Sequence, residues 1–161
     1  MEKPIRPIAQ NPAARGNYFI DSSFEAGLVL TGTEVKSLRD QSPSLREAYV
    51  ELRPYKKSFE AYLINLHIAE YSHGNLQNHE PRRVRRLLLK SSELSKLFGA
   101  TVQKGYTLVP LKLYFKGAWV KMEIGLGKGK KNIDKREDLK EKAERRDLQR
   151  YVGQQKRIGK R

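Results

Sequence analysis

His67, His73 and His79 are the only imidazoles of the chain, with five residues between each and the next. Zinc sites and helix faces gather histidines at other spacings, such as i and i+4, so these three read as satisfied or solvent-facing side chains. Carboxylates that folding could pair, Glu25 and Glu34 for instance, carry no mark of a general acid. The sequence has no cysteine, which removes disulfides, thiolate metal sites and thiol catalysis together. No catalytic constellation emerges, and neither a cofactor nor a small-molecule substrate is implied.

The chemistry on offer lies in positive charge. A total of 33 Lys and Arg against 18 Asp and Glu leaves +15 over 161 residues, and the commonest partner of such a balance is nucleic acid. Arg82, Arg83, Arg85, Arg86 and Lys90 put five cations into nine residues beside Leu87-Leu88-Leu89. Guanidinium groups bind phosphate bidentately and stack on exposed bases, which suits folded RNA with bulges and loops. The run Gly125-Leu126-Gly127-Lys128-Gly129-Lys130-Lys131 fails both nucleotide-loop templates, because position 130 is Lys where each requires Gly. Its glycines still let backbone N–H groups approach an RNA phosphate beside Lys130 and Lys131, and they suit a hinge equally well. Glu25, between Phe24 and Ala26, can accept hydrogen bonds from guanine or cytosine edges and orient neighbouring arginines. A simple ion-paired surface Glu fits the same residues.

Short apolar bursts must carry these groups. Tyr18-Phe19-Ile20, residues 24–30, 48–52 and 59–68 read as strands, and 106–115 with 119–126 as a hairpin turning at Lys116-Gly117-Ala118. In its second arm Val120, Met122, Ile124 and Leu126 share one face, with Trp119, Lys121 and Glu123 on the other. One short helix fits 33–39, capped by Thr33 with Glu34 at the positive end of its dipole. A second fits 92–98, with Ser91 as N-cap and Gly99 just past its end. The expectation is a mainly β chain: an OB-like, closed or partly closed β-barrel of about six strands with two to three short helices. Residues 1–17, with Pro4, Pro7 and Pro12, read as a mobile arm, 18–127 as the barrel and 128–161 as a basic tail. That tail holds 14 basic and 6 acidic residues. Its apolar residues Ile133, Leu139, Ala143 and Leu148 are too sparse for a core-facing stripe, so it is expected to be disordered when free and helical only against a partner. No stretch approaches the ~18 apolar residues of a membrane span, and the first residues hold no secretory apolar run, so a soluble cytoplasmic protein without membrane contact is expected.

Five strings, Tyr18-Phe19-Ile20, Phe24-Glu25-Ala26-Gly27, Gly32-Thr33-Glu34-Val35-Lys36-Ser37-Leu38-Arg39, Arg85-Arg86-Leu87-Leu88-Leu89 and Gly129-Lys130-Lys131-Asn132-Ile133-Asp134-Lys135-Arg136, closely resemble in order and spacing the bacterial small protein B (SmpB) family. The resemblance runs from about Asn11 to Arg150. It implies an OB-like barrel that binds the tRNA-like domain of transfer-messenger RNA (tmRNA, or SsrA RNA), with a tail that folds in the ribosome. In that family the complex enters ribosomes stalled on truncated messages, the tail probes the empty message channel near the decoding centre, and the nascent peptide is tagged for degradation. The family's protein does no bond chemistry itself. On this resemblance Asn11, Glu25, Leu88 and Lys121 fall on the RNA-binding face, joined there by Arg83, Arg85 and Arg86 of the basic cluster. Packing and RNA contact both stand for Leu88. Gly129 matches the hinge, and Asp134, Lys135 and Arg136, after Lys130 and Lys131, match the decoding-region motif. The chain departs from the family's pattern at Ile133, where His or Tyr is usual, and at Asp40-Gln41, where many members have Gly. Composition alone also fits a ribosomal structural protein, while a hydrolytic RNA enzyme would need an acid and base that no residues supply.

Overall fold

The computed structural model describes the backbone of residues 3–158 and, other than at 75, 103, 132, 133 and 156–158, their side chains. The chain divides into two units, Met1–Gly129 and Lys130–Arg161. In the first, β1 (Ile5–Gln10) and a single turn α1 (Ala14–Asn17) precede β2 (Tyr18–Leu28) and α2 (Gly32–Asp40). The hairpin of β3 (Tyr49–Tyr55) and β4 (Ser58–Ile64) follows, then β5 (Arg85–Leu88), α3 (Ser91–Gln103), β6 (Thr107–Lys116) and β7 (Trp119–Gly129). All seven strands form one antiparallel sheet in the order β1-β6-β7-β2-β5-β4-β3.

The mainly β expectation holds, with seven strands rather than about six. No ladder joins the end strands β1 and β3, so hydrogen bonds do not close the sheet. Two strands were not expected, β1, where a mobile arm was expected, and β5, while the expected strands at 18–20 and 24–30 form the single strand β2. Proline cannot donate to a ladder, and this rule misled at the N-terminus because Pro7 sits on one edge of the sheet, as Pro54 sits on the other. Bulges at Pro7/Ala9, Ile20/Ser22 and Pro110/Lys112 bend the long strands. The curled inner face collects Ala26, Leu28, Leu63, Leu87, Leu113, Met122 and Ile124, alternate residues of five strands, into one core with Leu38 of α2 and Leu97 of α3. Phe98 of α3 stacks on Phe59 of β4 at 3.9 Å between ring centres.

Helices α2 and α3 start and stop at residues other than those expected. Helix α2 is capped at Thr31, whose N–H donates to Glu34 Oε1 at 2.9 Å, while Thr33 lies one residue inside and hydrogen-bonds His79. Helix α3 runs through Gly99 to Gln103, because packing against β4 and β6 outweighs the helix-breaking tendency of one glycine. The left-handed residue after it is Gly105, at φ +68°. His79 is buried, with Nδ1 2.9 Å from Thr33 Oγ1 and Nε2 2.9 Å from the Ile68 carbonyl, whereas His67 and His73 are exposed. His79 is thus a satisfied structural side chain: Nε2–H donates to the carbonyl and Nδ1 accepts from the hydroxyl.

The second unit holds α4 (Asn132–Ile158), over the segment expected to be helical against a partner. Its described side chains are mostly exposed, including Leu139, Leu148 and Tyr151. The helix rests on local terms: Asp134 Oδ2 accepts the Lys131 N–H at 3.3 Å, Lys130 pairs with Asp138, and Asp138 and Glu141 precede Lys142 and Arg145 by four residues. The Ile133 side chain lies outside the described residues. No helix among them is long and apolar enough to cross a membrane.

Candidate nucleic-acid interface

Strand alternation decides which expected residues reach the surface. On β6 and β7 the outward positions are Lys112, Tyr114 and Lys116 paired with Glu123, Lys121 and Trp119. Residue Glu25 of β2 pairs with Glu123, Gly27 with Lys121, and Leu88 of β5 with Gly27. Three strands therefore bring Glu25, Lys121 and Leu88, distant in sequence, onto one outer face. Leu88 and Lys121 both lie against Gly27. A Cβ there would stand 3.4 Å from Leu88 Cβ and 3.6 Å from Lys121 Nζ. Leu88 is 50% exposed and Trp119 64% exposed, so neither is used as core. The Leu88 side chain lies on the outer surface of the sheet, half exposed.

Glu25 is not an isolated carboxylate. The Tyr114 hydroxyl donates to Oε2 at 2.5 Å and Lys116 Nζ approaches Oε1 at 3.2 Å. The Tyr114 bond, helped by Lys116 and Lys121, holds the Glu25 carboxyl below its ordinary value of 4.5 against the opposing effect of burial. Burial, and then the Glu25 bond, push the Tyr114 phenol well above 10. The face thus carries an ionised acceptor pinned between a phenol and an ammonium, beside a free-standing indole and an apolar step. Such a surface can receive base edges, stack on an exposed base and neutralise phosphate. The sequence reading missed Lys116, although the period-2 pattern of β6 and the tight turn at Gly117 place it beside Trp119.

The basic cluster splits. Arg85 is 0% exposed, and it cannot offer its guanidinium to a phosphate. Nε pairs with Glu34 Oε2, Nη1 donates to the Leu66 carbonyl at 2.6 Å and Nη2 to the Pro81 carbonyl at 2.9 Å. Only burial distinguishes this arginine from its neighbours, and a charge run does not reveal burial. Glu34, also 0% exposed, takes a second guanidinium from Arg83 at 2.6 Å. Desolvation raises the Glu34 carboxyl, but the Thr31 N–H, Arg83 and Arg85 together more than offset it, and the group lies below its ordinary 4.5. Arg83, a third exposed, is tied down by Glu34 and by the Val29 carbonyl at 3.3 Å. Arg86 is exposed and paired with Glu60 at 3.3 Å.

Asn11 has both amide ends engaged within the protein: Nδ2 donates to the Pro110 carbonyl at 3.0 Å and Oδ1 accepts the Ala13 N–H at 3.3 Å. It fastens the β1–α1 corner to β6 and leaves one amide hydrogen without a partner among the described residues. Gly129 ends β7, where it pairs with Tyr18. Lys130, Lys131, Asp134, Lys135 and Arg136 follow in the second unit, with Asp134 in the first turn of α4 and Arg136 exposed.

Comparison with known proteins shows the family of the chain. The profile of a family described as "SmpB protein" matches residues 8–154. A protein of Oceanobacillus iheyensis named "SsrA-binding protein" is 51% identical over 145 residues, covering 90% of this chain and 92% of its own length. One of the same name from Microcystis aeruginosa is 53% identical over 149 residues, covering 92% and 94%. A solved structure described as "tmRNA-SmpB: a journey to the center of the bacterial ribosome" contains a chain that is 44% identical. It superposes with a TM-score of 0.62 over 78% of this chain and 86% of that one.

Proposed function

This chain belongs to the SmpB family, and on that footing we propose that it binds tmRNA through its tRNA-like domain and brings it to ribosomes stalled on truncated messages. Its partners are tmRNA and the ribosome. It acts by binding and positioning, with no bond chemistry of its own. The observation that carries the reading is the outer face on which β2, β5 and β7 bring Glu25, Leu88 and Lys121 together around Gly27.

The finer assignments extend the same reading. Asn11, Glu25, Leu88, Lys121 and the exposed part of the 83–86 cluster serve the RNA, with Trp119 as a stacking surface. Gly129 acts as hinge, and Asp134, Lys135 and Arg136 enter the decoding region at the head of the tail. The sheet works as an OB-like barrel whose last gap is filled by side chains. What supports that view is the approach of β3 to β6 across a curled sheet whose edges share no ladder.

The deciding experiment is a competition at physiological salt between the tRNA-like domain of tmRNA and an ordinary tRNA of similar size. Nonspecific attraction to phosphate weakens steeply with salt, so preference under these conditions measures recognition rather than charge. Strong preference for the tRNA-like domain is expected. Equal binding would overturn the assigned face. A ribosomal structural role is separated by a high-salt wash, which should strip this protein from ribosomes.

A further inference from the structure

Glu25 on β2 and Glu123 on β7 stand opposite each other in register, two carboxylates on one outer face. Like charges so placed destabilise a sheet unless each is drawn to a partner elsewhere. Glu123 faces its other cross-strand neighbour, Lys112 of β6, at 3.9 Å. Glu25 instead reaches over β7 toward β6, two strand spacings or roughly 10 Å from its own backbone, and meets the Tyr114 hydroxyl at 2.5 Å and Lys116 Nζ at 3.2 Å. Lys121, on the strand that Glu25 crosses, has no carboxylate partner among the described residues. Its Nζ lies over Gly27, 3.6 Å from where a Cβ would stand there. Gly27 and Glu25 are alternate residues of β2, about 7 Å apart on the same face, so a released Glu25 carboxylate can reach Lys121.

Two ammonium groups therefore compete for Glu25, and charge alone does not choose between them. The Tyr114 hydroxyl does, because it adds a short directional bond on the Lys116 side only. It adds no charge of its own: burial, and then the bond to Glu25, push the phenol well above 10, so it stays a donor. We propose that Tyr114 is a positioning residue of the RNA face, whose hydroxyl holds Glu25 on the Lys116 side and so keeps the Lys121 ammonium unpaired for an RNA phosphate. This rests on the RNA-binding function proposed above and deepens it. Without the hydroxyl, Glu25 folds back onto Lys121, and the face loses an oriented acceptor and a phosphate contact together.

The test uses the full chain carrying Y114F, which removes one oxygen from a half-buried side chain and leaves the ring in place. Binding to the tRNA-like domain and to an ordinary tRNA is followed across a salt series. Each phosphate contact contributes about 0.7–0.9 to the slope of log K against log salt. Y114F should lower the slope by that amount and weaken binding of the tRNA-like domain roughly five- to ten-fold at physiological salt. In a K121Q background the same change should leave the slope where K121Q alone puts it, because there is no ammonium left for Glu25 to capture. E25Q/Y114F should recover at least the wild-type slope, since a neutral amide does not neutralise Lys121. A slope unchanged by Y114F, or lowered as much in the K121Q background, overturns the proposal, the second result giving Tyr114 a role in packing alone. Failure of the wild-type chain to prefer the tRNA-like domain would instead count against the functional reading, and the slopes on either RNA would still decide the part played by Tyr114.

Discussion

The body and the tail use the same charged residue types to opposite ends. In the body Arg85 and Glu34 are both fully buried, and their pairing is completed by the Leu66 and Pro81 carbonyls, the Thr31 N–H and Arg83. In the tail, Lys and Arg lie along an exposed helix, where ion pairing is local and screened by water. Charge in the body is therefore structural wherever it is buried, and tail charge remains available to a partner. Counting basic residues along the chain does not reveal this difference.

The largest expected effect comes from separating the two. Deletion of 133–161 should abolish tagging on stalled ribosomes while leaving tmRNA binding by the body within a few-fold of wild type; equal loss of both would erase the division. Next is Glu34→Ala, which strands a buried guanidinium. A loss of about 3–5 kcal/mol in urea unfolding is expected for breaking such a pair, whereas the same change at Glu144 in the tail should leave body stability unmoved.

Acid sharpens the contrast. The Glu34 carboxyl is held below 4.5 in the folded chain, so its stabilising contribution is complete above that value and fades as pH falls through the lowered one. Body unfolding monitored through Trp119 fluorescence should show that dependence, and Glu34→Gln should flatten it. Glu25→Ala follows, with an expected several-fold weaker binding of the tRNA-like domain, about 1 kcal/mol or slightly more, because Tyr114 and Lys116 lose the acceptor that orders them. Tighter binding would remove Glu25 from the interface. The smallest effect belongs to Asp138→Asn in the tail, where one ion pair among many should change helicity by a few tenths of a kcal/mol, read by circular dichroism at low and high salt.

What could be read early follows from range. The β6–β7 hairpin, its turn at Gly117 and the division of Trp119, Lys121 and Glu123 from Val120, Met122 and Ile124 all depend on neighbours in sequence, and the structure has each of them. Helix ends were less legible. Thr31 and Thr33 are both competent caps, and the choice fell to the residue whose N–H could meet Glu34, itself fixed by a distant arginine. The N-terminal strand was missed because prolines argue against a ladder unless the strand is known to lie at an edge, and edge position is a property of the assembled sheet.

Composition and motif by themselves determined that this protein is basic, mainly β and bears a charged tail, because those properties are sums over residues or patterns of period two. Five ordered motifs also carried the family resemblance. Only the tertiary structure decided that Arg85 is core while Arg86 is surface, that Leu88 faces outward across from Gly27, and that Glu25 is held by Tyr114 and Lys116. Each of these depends on strands remote in sequence pairing in one register. A shift of one residue would turn every one of those side chains to the other face.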